Sequence, residues 1–271
     1  MFECKFHSGQ FFKTLVDTIS SFIEDGALMA KPDGLELRAI EQSRVAMIDL
    51  SVSRDMCETY ECDEEVELKI NFNDLSKFVR GSSGSEEVFL RYIAETNKLQ
   101  IKFKGKSTRT FSIPLLEEVT CESIENVNLS SEIEIVLDTS VLSTAIKDAD
   151  LVGEVVNFMV QQDNNQFSLE ANSERGDVQI EFEEEPVRND ADGDVTATYS
   201  LDFLTKILKA SSLSDQVILE FSLNNPIILT FLIENEESNG KVAYFLAPQV
   251  REEEELEEEE EYDEEDDEEE M

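Results

Sequence analysis

The residues of this chain that could most readily do chemistry are bases on four segments that we predict to be helices, Gly9–Glu24, Phe72–Arg80, Thr139–Ala149 and Leu201–Lys209. These segments hold five acids and six bases, which are Lys13, Lys77, Arg80, Lys147, Lys206 and Lys209. The whole chain, by contrast, has 22 bases against 63 acids and a formal net charge of −41. A chain this acidic is repelled by nucleic acid unless its cations are concentrated on one surface. The helix bases are where such a surface could lie, but lysines on the solvated face of an amphipathic helix are the default without any ligand, so the residues alone predict only some basic helix faces.

Other kinds of chemistry find little support in the residue types. The cysteines Cys4, Cys57, Cys62 and Cys121 form no CxxC pair, and His7 is the single histidine, so a tetrahedral zinc site is not expected. The chain has no nucleophile elbow, no glycine-rich phosphate loop and no HExxH motif. The acidic run Glu181–Glu185 is typical of a solvated charge cluster. We therefore predict no catalytic residues, no metal and no cofactor, which means that the protein is not an enzyme.

Composition predicts a globular body with an acidic end. Hydrophobic residues make up 40% of the chain, enough for real cores. From Glu252 onward, 17 of the last 20 residues are Asp or Glu, which predicts a solvated, disordered tail. No charged-then-apolar leader opens the chain, and no apolar run approaches the roughly 18 residues of a membrane span. We expect a soluble intracellular protein with reduced thiols and no membrane partner.

The predicted elements repeat in order along the chain. Short segments with period-two alternation predict strands, and each half reads as strand, helix, several strands, helix and three strands. The predicted fold class is α+β, with two similar domains in which helices pack on antiparallel sheets. The predicted boundaries are 1–114 for the first domain, 115–131 for a connector, 132–251 for the second domain and 252–271 for the tail.

The predicted helices are amphipathic. In the first, Phe12, Leu15, Val16, Ile19, Phe22 and Ile23 form one apolar stripe. In the second, Leu75, Phe78 and Val79 are predicted to face inward, and in the fourth so are Leu201, Leu204 and Leu208. The bases then lie on the exposed side of each helix.

Several separate stretches, spread over about residues 1–250, resemble the sliding clamps of the proliferating cell nuclear antigen type. They are Met1–Glu3 with Gly9 and Lys13, Gly34–Leu37, Ala39–Met47, Tyr60–Cys62, Leu75–Arg80, Arg109–Leu116, Lys147–Asp150 and Tyr244–Pro248. Ser112–Leu116 and Leu246–Pro248 are more similar to the archaeal branch than to the animal one.

The resemblance implies a DNA polymerase processivity factor. Members have two similar domains per chain, and usually three chains close head-to-tail into a ring around duplex DNA, with helices lining the hole. The implied partners are double-stranded DNA bound without regard to sequence, further copies in a homotrimer, and DNA polymerase, flap endonuclease, DNA ligase and an ATP-driven clamp loader. The implied location is on chromosomal DNA, in the nucleoid for an archaeal source, which we favour, or the nucleus for a eukaryotic one.

By position, the resemblance implies three sets of site residues. Lys13, Lys77, Arg80, Lys147 and Lys209 match inner-surface bases, to which the helix face adds Lys206. Thr14, Ser20, Thr144 and Leu151 stand at positions that are often basic, which implies a weaker grip on DNA. A pocket for a partner peptide with a glutamine, an aliphatic and two aromatic anchors would be formed by Ile40, Val45, Met47, Ile124, Val127, Leu129, Pro226, Phe245, Ala247 and Pro248. Ring closure would pair the edge strand Thr108, Arg109, Thr110, Phe111, Ser112 and Ile113 with Val178, Gln179, Ile180, Glu181 and Phe182 of the next chain.

Two alternatives to a replication clamp remain open on the sequence. One is an acidic binding protein that mimics DNA or chaperones basic proteins, with the tail as its active part. The other is a checkpoint-type clamp subunit of the same fold, with different partners and loaders.

Overall fold

A computed structural model of the chain describes residues 1–6, 8–82, 84–120, 129–184, 186–234 and 239–249. Within these residues each half contributes two α-helices and nine strands, in the order strand, helix, five strands, helix, three strands. This confirms the predicted α+β class and the repeated order of elements. The strand ends differ from the predicted ones by up to a few residues.

The two halves have the following elements. The first half comprises β1 (Phe2–Phe6), α1 (Gly9–Ser20), β2 (Asp25–Lys31), β3 (Gly34–Ile40), β4 (Ala46–Ser53), β5 (Cys57–Cys62), β6 (Val66–Asn71), α2 (Phe72–Val79), β7 (Glu87–Ile93), β8 (Lys98–Lys104) and β9 (Thr108–Pro114). The second half comprises β10 (Ile133–Asp138), α3 (Thr139–Val152), β11 (Val155–Gln161), β12 (Gln166–Ser173), β13 (Gly176–Glu181), β14 (Arg188–Asn189), β15 (Val195–Ser200), α4 (Leu201–Ile207), β16 (Gln216–Phe221), β17 (Ile227–Glu234) and β18 (Asn239–Leu246). Short 3-10 helices cover Arg54–Met56, Ala94–Thr96 and Leu208–Ser212.

The strands form three antiparallel sheets, of which the central one joins the two halves. A five-stranded sheet has the order β5-β1-β7-β8-β9, and a four-stranded sheet has the order β13-β12-β11-β15. The central nine-stranded sheet has the order β14-β10-β16-β17-β18-β4-β3-β2-β6. Strand β18 of the second half pairs with β4 of the first over seven residue pairs, from Gly240 opposite Val52 to Leu246 opposite Ala46. The core is continuous between the halves because of this pairing.

The helices pack on one side of the sheets through the predicted apolar stripes. Phe12, Leu15, Val16 and Ile19 of α1 are all buried, as are Leu201 and Leu204 of α4. Side chains cap the helix starts: the Ser8 hydroxyl accepts a hydrogen bond from the Phe11 amide, and the Asn71 side chain accepts one from the Asp74 amide. Within the described residues, no helix is long and apolar enough to cross a bilayer.

Helix α2 ends at Val79, one residue before the predicted end, and α3 extends to Val152, three residues beyond it. Three further helix predictions need correction. Helix α1 ends at Ser20 and not at Glu24, because the Glu24 carbonyl leaves the helix to accept the amide of Phe72 at 2.8 Å. Helix α4 ends at Ile207, and Lys209 lies in the 3-10 turn that follows. Phe78 does not face inward: it is 36% exposed and stacks on Phe111 of β9, with ring centroids 5.1 Å apart.

Candidate functional site

The helices form one continuous layer. Helix α1 packs beside α2, α3 packs beside α4, and α1 contacts the Leu208–Ser212 turn after α4. The layer therefore continues across the junction between the halves, where β4 pairs with β18 in the central sheet. The helix faces that point away from the sheets form the surface of this layer, and they carry the predicted bases.

The six bases differ in how far intramolecular partners neutralise them. The Lys77 ammonium lies 2.7 Å from an Asp74 carboxylate oxygen, and the Lys206 ammonium lies 2.6 Å from Asp202, each within one helix. In the part of the chain that the structure describes, Lys13, Arg80, Lys147 and Lys209 have no carboxylate within 4.0 Å. Lys13 is half-buried, and the other three are exposed. Four bases per chain are thus available to an anionic ligand on the helical layer.

Four positions of the layer at which the resemblance implies a base in many relatives are uncharged. Thr14 and Ser20 are half-buried, Thr144 is exposed, and Leu151 is 75% exposed at the end of α3. An aliphatic side chain this exposed contributes neither to the core nor to phosphate binding. The layer can therefore make few direct ionic contacts with a nucleic acid.

The two predicted interface strands lie at free sheet edges. On β9 the side chains of Thr108, Thr110 and Ser112 are exposed, Arg109 and Phe111 are half-buried, and Ile113 is buried. On β13 Val178 and Ile180 are half-buried, whereas Gln179 and Glu181 are exposed. Phe182, predicted as the end of the second strand, lies beyond β13 and is buried against Phe167 at 4.7 Å between ring centroids.

The guanidinium of Arg109 bonds to groups of its own chain. One guanidinium nitrogen donates to the Gly81 carbonyl at 3.0 Å, and another lies 2.7 Å from the Glu86 carboxylate. The guanidinium also stacks over Phe103, 5.2 Å from the ring centroid. These contacts join β9 to the residues that follow α2.

A row of apolar side chains crosses the face of the central sheet that points away from the helices. Directly opposed residues on neighbouring antiparallel strands share a face, so the register places Ile40, Met47, Phe245 and Ile228 side by side on β3, β4, β18 and β17. Met47 and Ile228 are 6% and 9% exposed, and Ile40 and Phe245 are half-buried. We call these four residues the apolar row.

The other described members of the predicted pocket surround one end of the apolar row. The Val45 carbonyl accepts a hydrogen bond from the Ala247 amide at 2.8 Å, which holds the β3–β4 loop against the C-terminal segment. Val45 and Leu129 are each 39% exposed, and Pro226, Ala247 and Pro248 are half-buried. Ile124, Val127 and the tail 252–271 lie outside the described residues.

The β3–β4 loop at this end is held by its own acid. The Glu41 carboxylate accepts hydrogen bonds from the Ser43 amide, the Ser43 hydroxyl and the Val45 amide at 2.6–3.0 Å. Partial burial acts to raise the pKa of Glu41, but these bonds outweigh it, and the pKa is lowered. Arg44 adopts a left-handed conformation with φ of 63°, which a non-glycine residue adopts at a cost. The loop is therefore fixed beside a cleft of about 220 Å³ lined by Ile40, Glu41, Gln42, Arg44 and Thr120.

Sequence reasoning missed Ile228, and it missed Asp25 and Arg188, which form hydrogen bonds with the connector residues Thr120 and Ser131. Ile228 alternates with the buried Ile227 and Leu229 in β17, so its outward direction could have been read from the strand pattern. Asp25 and Arg188 gave no local signal, because their partners Thr120 and Ser131 are distant in sequence.

The chain was compared with known proteins. The family model of the proliferating cell nuclear antigen N-terminal domain matches residues 1–120, and that of the C-terminal domain matches residues 123–249. A DNA polymerase sliding clamp 1 from Pyrobaculum aerophilum is 31% identical over 243 residues, covering 88% of this chain and 94% of the relative. A DNA polymerase sliding clamp 1 from Thermococcus kodakarensis is 30% identical over 254 residues, covering 93% and 99%.

Solved structures share the fold at lower identity. A proliferating cell nuclear antigen crystal structure from Thermococcus kodakaraensis superposes with a TM-score of 0.82 at 23% identity, over 92% of this chain and all of that one. The equivalent protein of Entamoeba histolytica gives a TM-score of 0.81 at 22% identity, over 92% and 99%. The resemblance seen in the sequence thus extends to the whole described body.

Proposed function

Because this chain belongs to the proliferating cell nuclear antigen family, we propose that it is a DNA polymerase sliding clamp, a ring that encircles duplex DNA and tethers other enzymes to it. One observation carries the proposal for this chain: β9 and β13, the equivalents of the two strands that join its halves, both lie at sheet edges. The family relationship favours this function over an acidic DNA mimic, a chaperone or a checkpoint-type subunit.

The internal repeat identifies the strands that would join neighbouring copies. Strand β18, the last of the second half, pairs with β4, the third strand after α1. The equivalent strands are β9, the last of the first half, and β13, the third strand after α3. Both lie at sheet edges in one chain, so pairing β9 of one copy with β13 of the next would repeat the internal junction. A repeated head-to-tail junction closes a ring when its rotation closes, and we propose such a ring of three copies of this chain, with the domain boundaries predicted above.

Side chains beside these edges suit such a junction. Phe78 lies beside β9, partly exposed on Phe111. An open cleft of about 510 Å³ lies between α3 and β13, with Val141, Ala145 and Ile180 among its lining residues. Helix α1 contacts the turn after α4 at the internal junction, so the repeated junction would bring α3 to the residues after α2. Phe78 of one copy would then face this cleft of the next.

In the ring, the helical layer would face the DNA. Lys13, Arg80, Lys147 and Lys209 would contact phosphates without reading bases, which permits sliding. Lys77 and Lys206 would contribute less, since Asp74 and Asp202 already pair with them. The strongly acidic remainder of the chain would discourage binding of DNA outside the hole.

On the outer surface, the apolar row and the residues around Val45 would bind short partner peptides. Apolar anchors in a concave patch supply most of the affinity in such complexes. We propose DNA polymerase, flap endonuclease, DNA ligase and a clamp loader as the classes of partner, with the protein acting on chromosomal DNA inside the cell. The connector residues Ile124, Val127 and Leu129 remain proposed members of the pocket.

Retention on circular DNA tests the proposed function. The chain would be loaded with a clamp loader of a related species onto a nicked circular duplex, separated from free protein, and followed before and after linearisation by a restriction enzyme. A clamp stays on the circle and leaves the linear product by sliding off its ends. Equal retention on both forms, or none on either, would argue against a ring around DNA.

A further inference from the structure

The two sheet edges that would meet between copies carry opposite charge. Residues 96–116, which include β8 and β9, hold five bases and no acid, in a chain with 63 acids. Residues 166–184, which include β12 and β13, hold six acids and one base. We call these two segments the basic hairpin and the acidic hairpin.

We propose that the charges of the two hairpins select the pairing of β9 with β13 of a second copy over the pairing of either edge with itself. The occupant of each hairpin edge is then the opposite hairpin of another copy of this chain. The inference rests on the proposed ring and goes beyond it, because it names residues that decide which edges join and how strongly.

The bases of the basic hairpin lie mainly on the sheet face that points away from the helices. Buried hydrophobic residues alternate along β8 with Lys98, Lys102 and Lys104, so these three lysines share the opposite face. Lys106 is exposed in the turn that follows. The Lys104 ammonium lies 3.1 Å from a Glu87 carboxylate oxygen, whereas the other three lysines have no carboxylate of a described residue within 4.0 Å.

The acids of the acidic hairpin lie on the corresponding face of the four-stranded sheet. Asp177 and Glu181 are exposed on β13, and Ile180 of the same strand lines the cleft beside α3. Glu170 of β12 stands opposite Gln179, which places its carboxylate on the face of Asp177 and Glu181. Among the described residues, none of the six acids of this hairpin has a base within 4.0 Å.

Pairing β9 with β13 would join these two faces edge to edge. On this face β9 contributes only the uncharged Thr108, Thr110 and Ser112. Two strand spacings, or about 9.6 Å, would separate β8 from β13 of the next copy. This distance is close to the Debye length of about 10 Å at 0.1 M salt, and the flexible lysine stems can shorten the separation of the charges further.

Self-pairing of an edge would bring like charges together. Two β9 edges would set basic hairpin against basic hairpin, and two β13 edges would place Asp177 and Glu181 of both copies on neighbouring strands. A free edge is a template for such pairing, and like charges across an interface disfavour it. The internal junction needs no such selection because its halves are covalently joined, and its Asp49 is already paired with Arg38 at 3.0 Å.

Assembly of charge-reversed full-length chains tests the inference. Lys102→Glu with Lys106→Glu reverses the basic hairpin, and Asp177→Lys with Glu181→Lys reverses the acidic hairpin. Each double variant should assemble at least about tenfold more weakly than the parent chain in a dilution series at 0.1 M salt, followed by light scattering, because attraction becomes repulsion. The difference from the parent chain should shrink at 1 M salt, where the Debye length is about 3 Å.

The two variants change the net charge in opposite directions, which separates local from general electrostatics. The first makes the chain more negative and the second makes it less negative, so general repulsion between chains of net charge −41 would weaken only the first. The control Lys241→Glu with Arg54→Glu repeats the change of the first variant at exposed positions of the other sheet, and it should assemble within about twofold of the parent chain. Since the acidic-hairpin variant changes only exposed side chains, it decides the question even if the other variant does not fold.

A chain with all four reversals keeps the two hairpins complementary, with the signs exchanged. It should assemble within about threefold of the parent chain, yet fluorescently labelled copies of the two should not form mixed assemblies. Assembly of both folded double variants as strong as that of the parent chain, or free mixing of the fourfold variant with the parent, would overturn the inference while the ring stands. A parent chain that stays single at every concentration would instead refute the proposed ring.

Discussion

Breaking the ion pair between Lys206 and Asp202 is a direct way to change the affinity of the proposed ring for DNA. The two charged groups lie 2.6 Å apart on the exposed face of α4, with the side chains 39% and 71% exposed. Asp202→Asn keeps the shape of the side chain but leaves the lysine charge without its partner. We predict that this variant binds duplex DNA more tightly and with a steeper dependence on salt.

The expected size follows from counterion release. Each additional phosphate contact adds about 0.9 to the slope of log affinity against log salt, which is about 3.5-fold in affinity between 200 and 50 mM. In the proposed ring of three chains, three Lys206 side chains that contact phosphates at once would add at most about 40-fold to the change of affinity between 200 and 50 mM salt. Folding stability should change little, because an exposed pair at this spacing contributes roughly 0.3–0.5 kcal/mol.

The assay is equilibrium binding to a short linear duplex with open ends, measured by anisotropy between 50 and 200 mM salt. The control is Asp33→Asn, which makes the same change in net charge in the turn between β2 and β3, away from the helices. The reasoning requires a steeper slope for Asp202→Asn than for this control. Equal slopes in the two variants would show that Lys206 does not face DNA, and the assignment of the helical layer to the hole would be refuted at that position.

Three further predictions concern the outer surface. Phe245→Ala removes one of the two central side chains of the apolar row and should weaken the binding of a peptide with two aromatic anchors at least about tenfold in anisotropy titrations. Ser51→Ala on the same sheet face should leave this binding unchanged. The pKa of Glu41 is lowered from 4.5 in the folded chain. The contribution of Glu41 to stability is therefore present above pH 4.5 and is lost as the pH falls through the lower pKa of the folded chain. Thermal melts should show that Glu41→Gln loses less stability than the parent chain on acidification from about pH 6 to 3. Removing residues 252–271, which carry 17 acids, should strengthen the binding of peptides with acidic flanks at low salt. The effect should fade near 0.5 M salt, where screening shortens the Debye length to about 4 Å. Equal affinities of the two chains at low salt would dismiss a role of the tail.

Local pattern was enough to predict the elements of this fold. Period-two alternation gave the strands, and the apolar stripe of Phe12, Leu15 and Ile19 gave the first helix together with its buried face. Helix ends were less certain: α1 stops at Ser20 because Glu24 bonds to Phe72, a contact between residues far apart in sequence. Phe78 has the spacing of a core residue, and its exposed position depends on Phe111 in a distant strand.

The site depended on information that no local pattern contains. Met47 and Phe245 are neighbours only through the pairing of β4 with β18, nearly two hundred positions apart, and the sequence pointed to them through family resemblance alone. The pairing of Lys77 with Asp74 could have been expected from their i, i+3 spacing, yet counting charges treated both as independent. The hydrogen bonds of Asp25 with Thr120 and of Arg188 with Ser131 required the folded chain, because each joins residues far apart in sequence.

The molar mass of the purified chain in solution tests the central claim most directly. Light scattering across a dilution series should give about 92 kDa, three times the 30.8 kDa of one chain, and Ile180→Asp at the β13 edge should shift the protein toward single chains. Lys241→Ala, an exposed change on β18 within the internal junction, serves as the matched control and should leave the trimer intact. A mass of one chain at every concentration would contradict a ring built from copies of this protein.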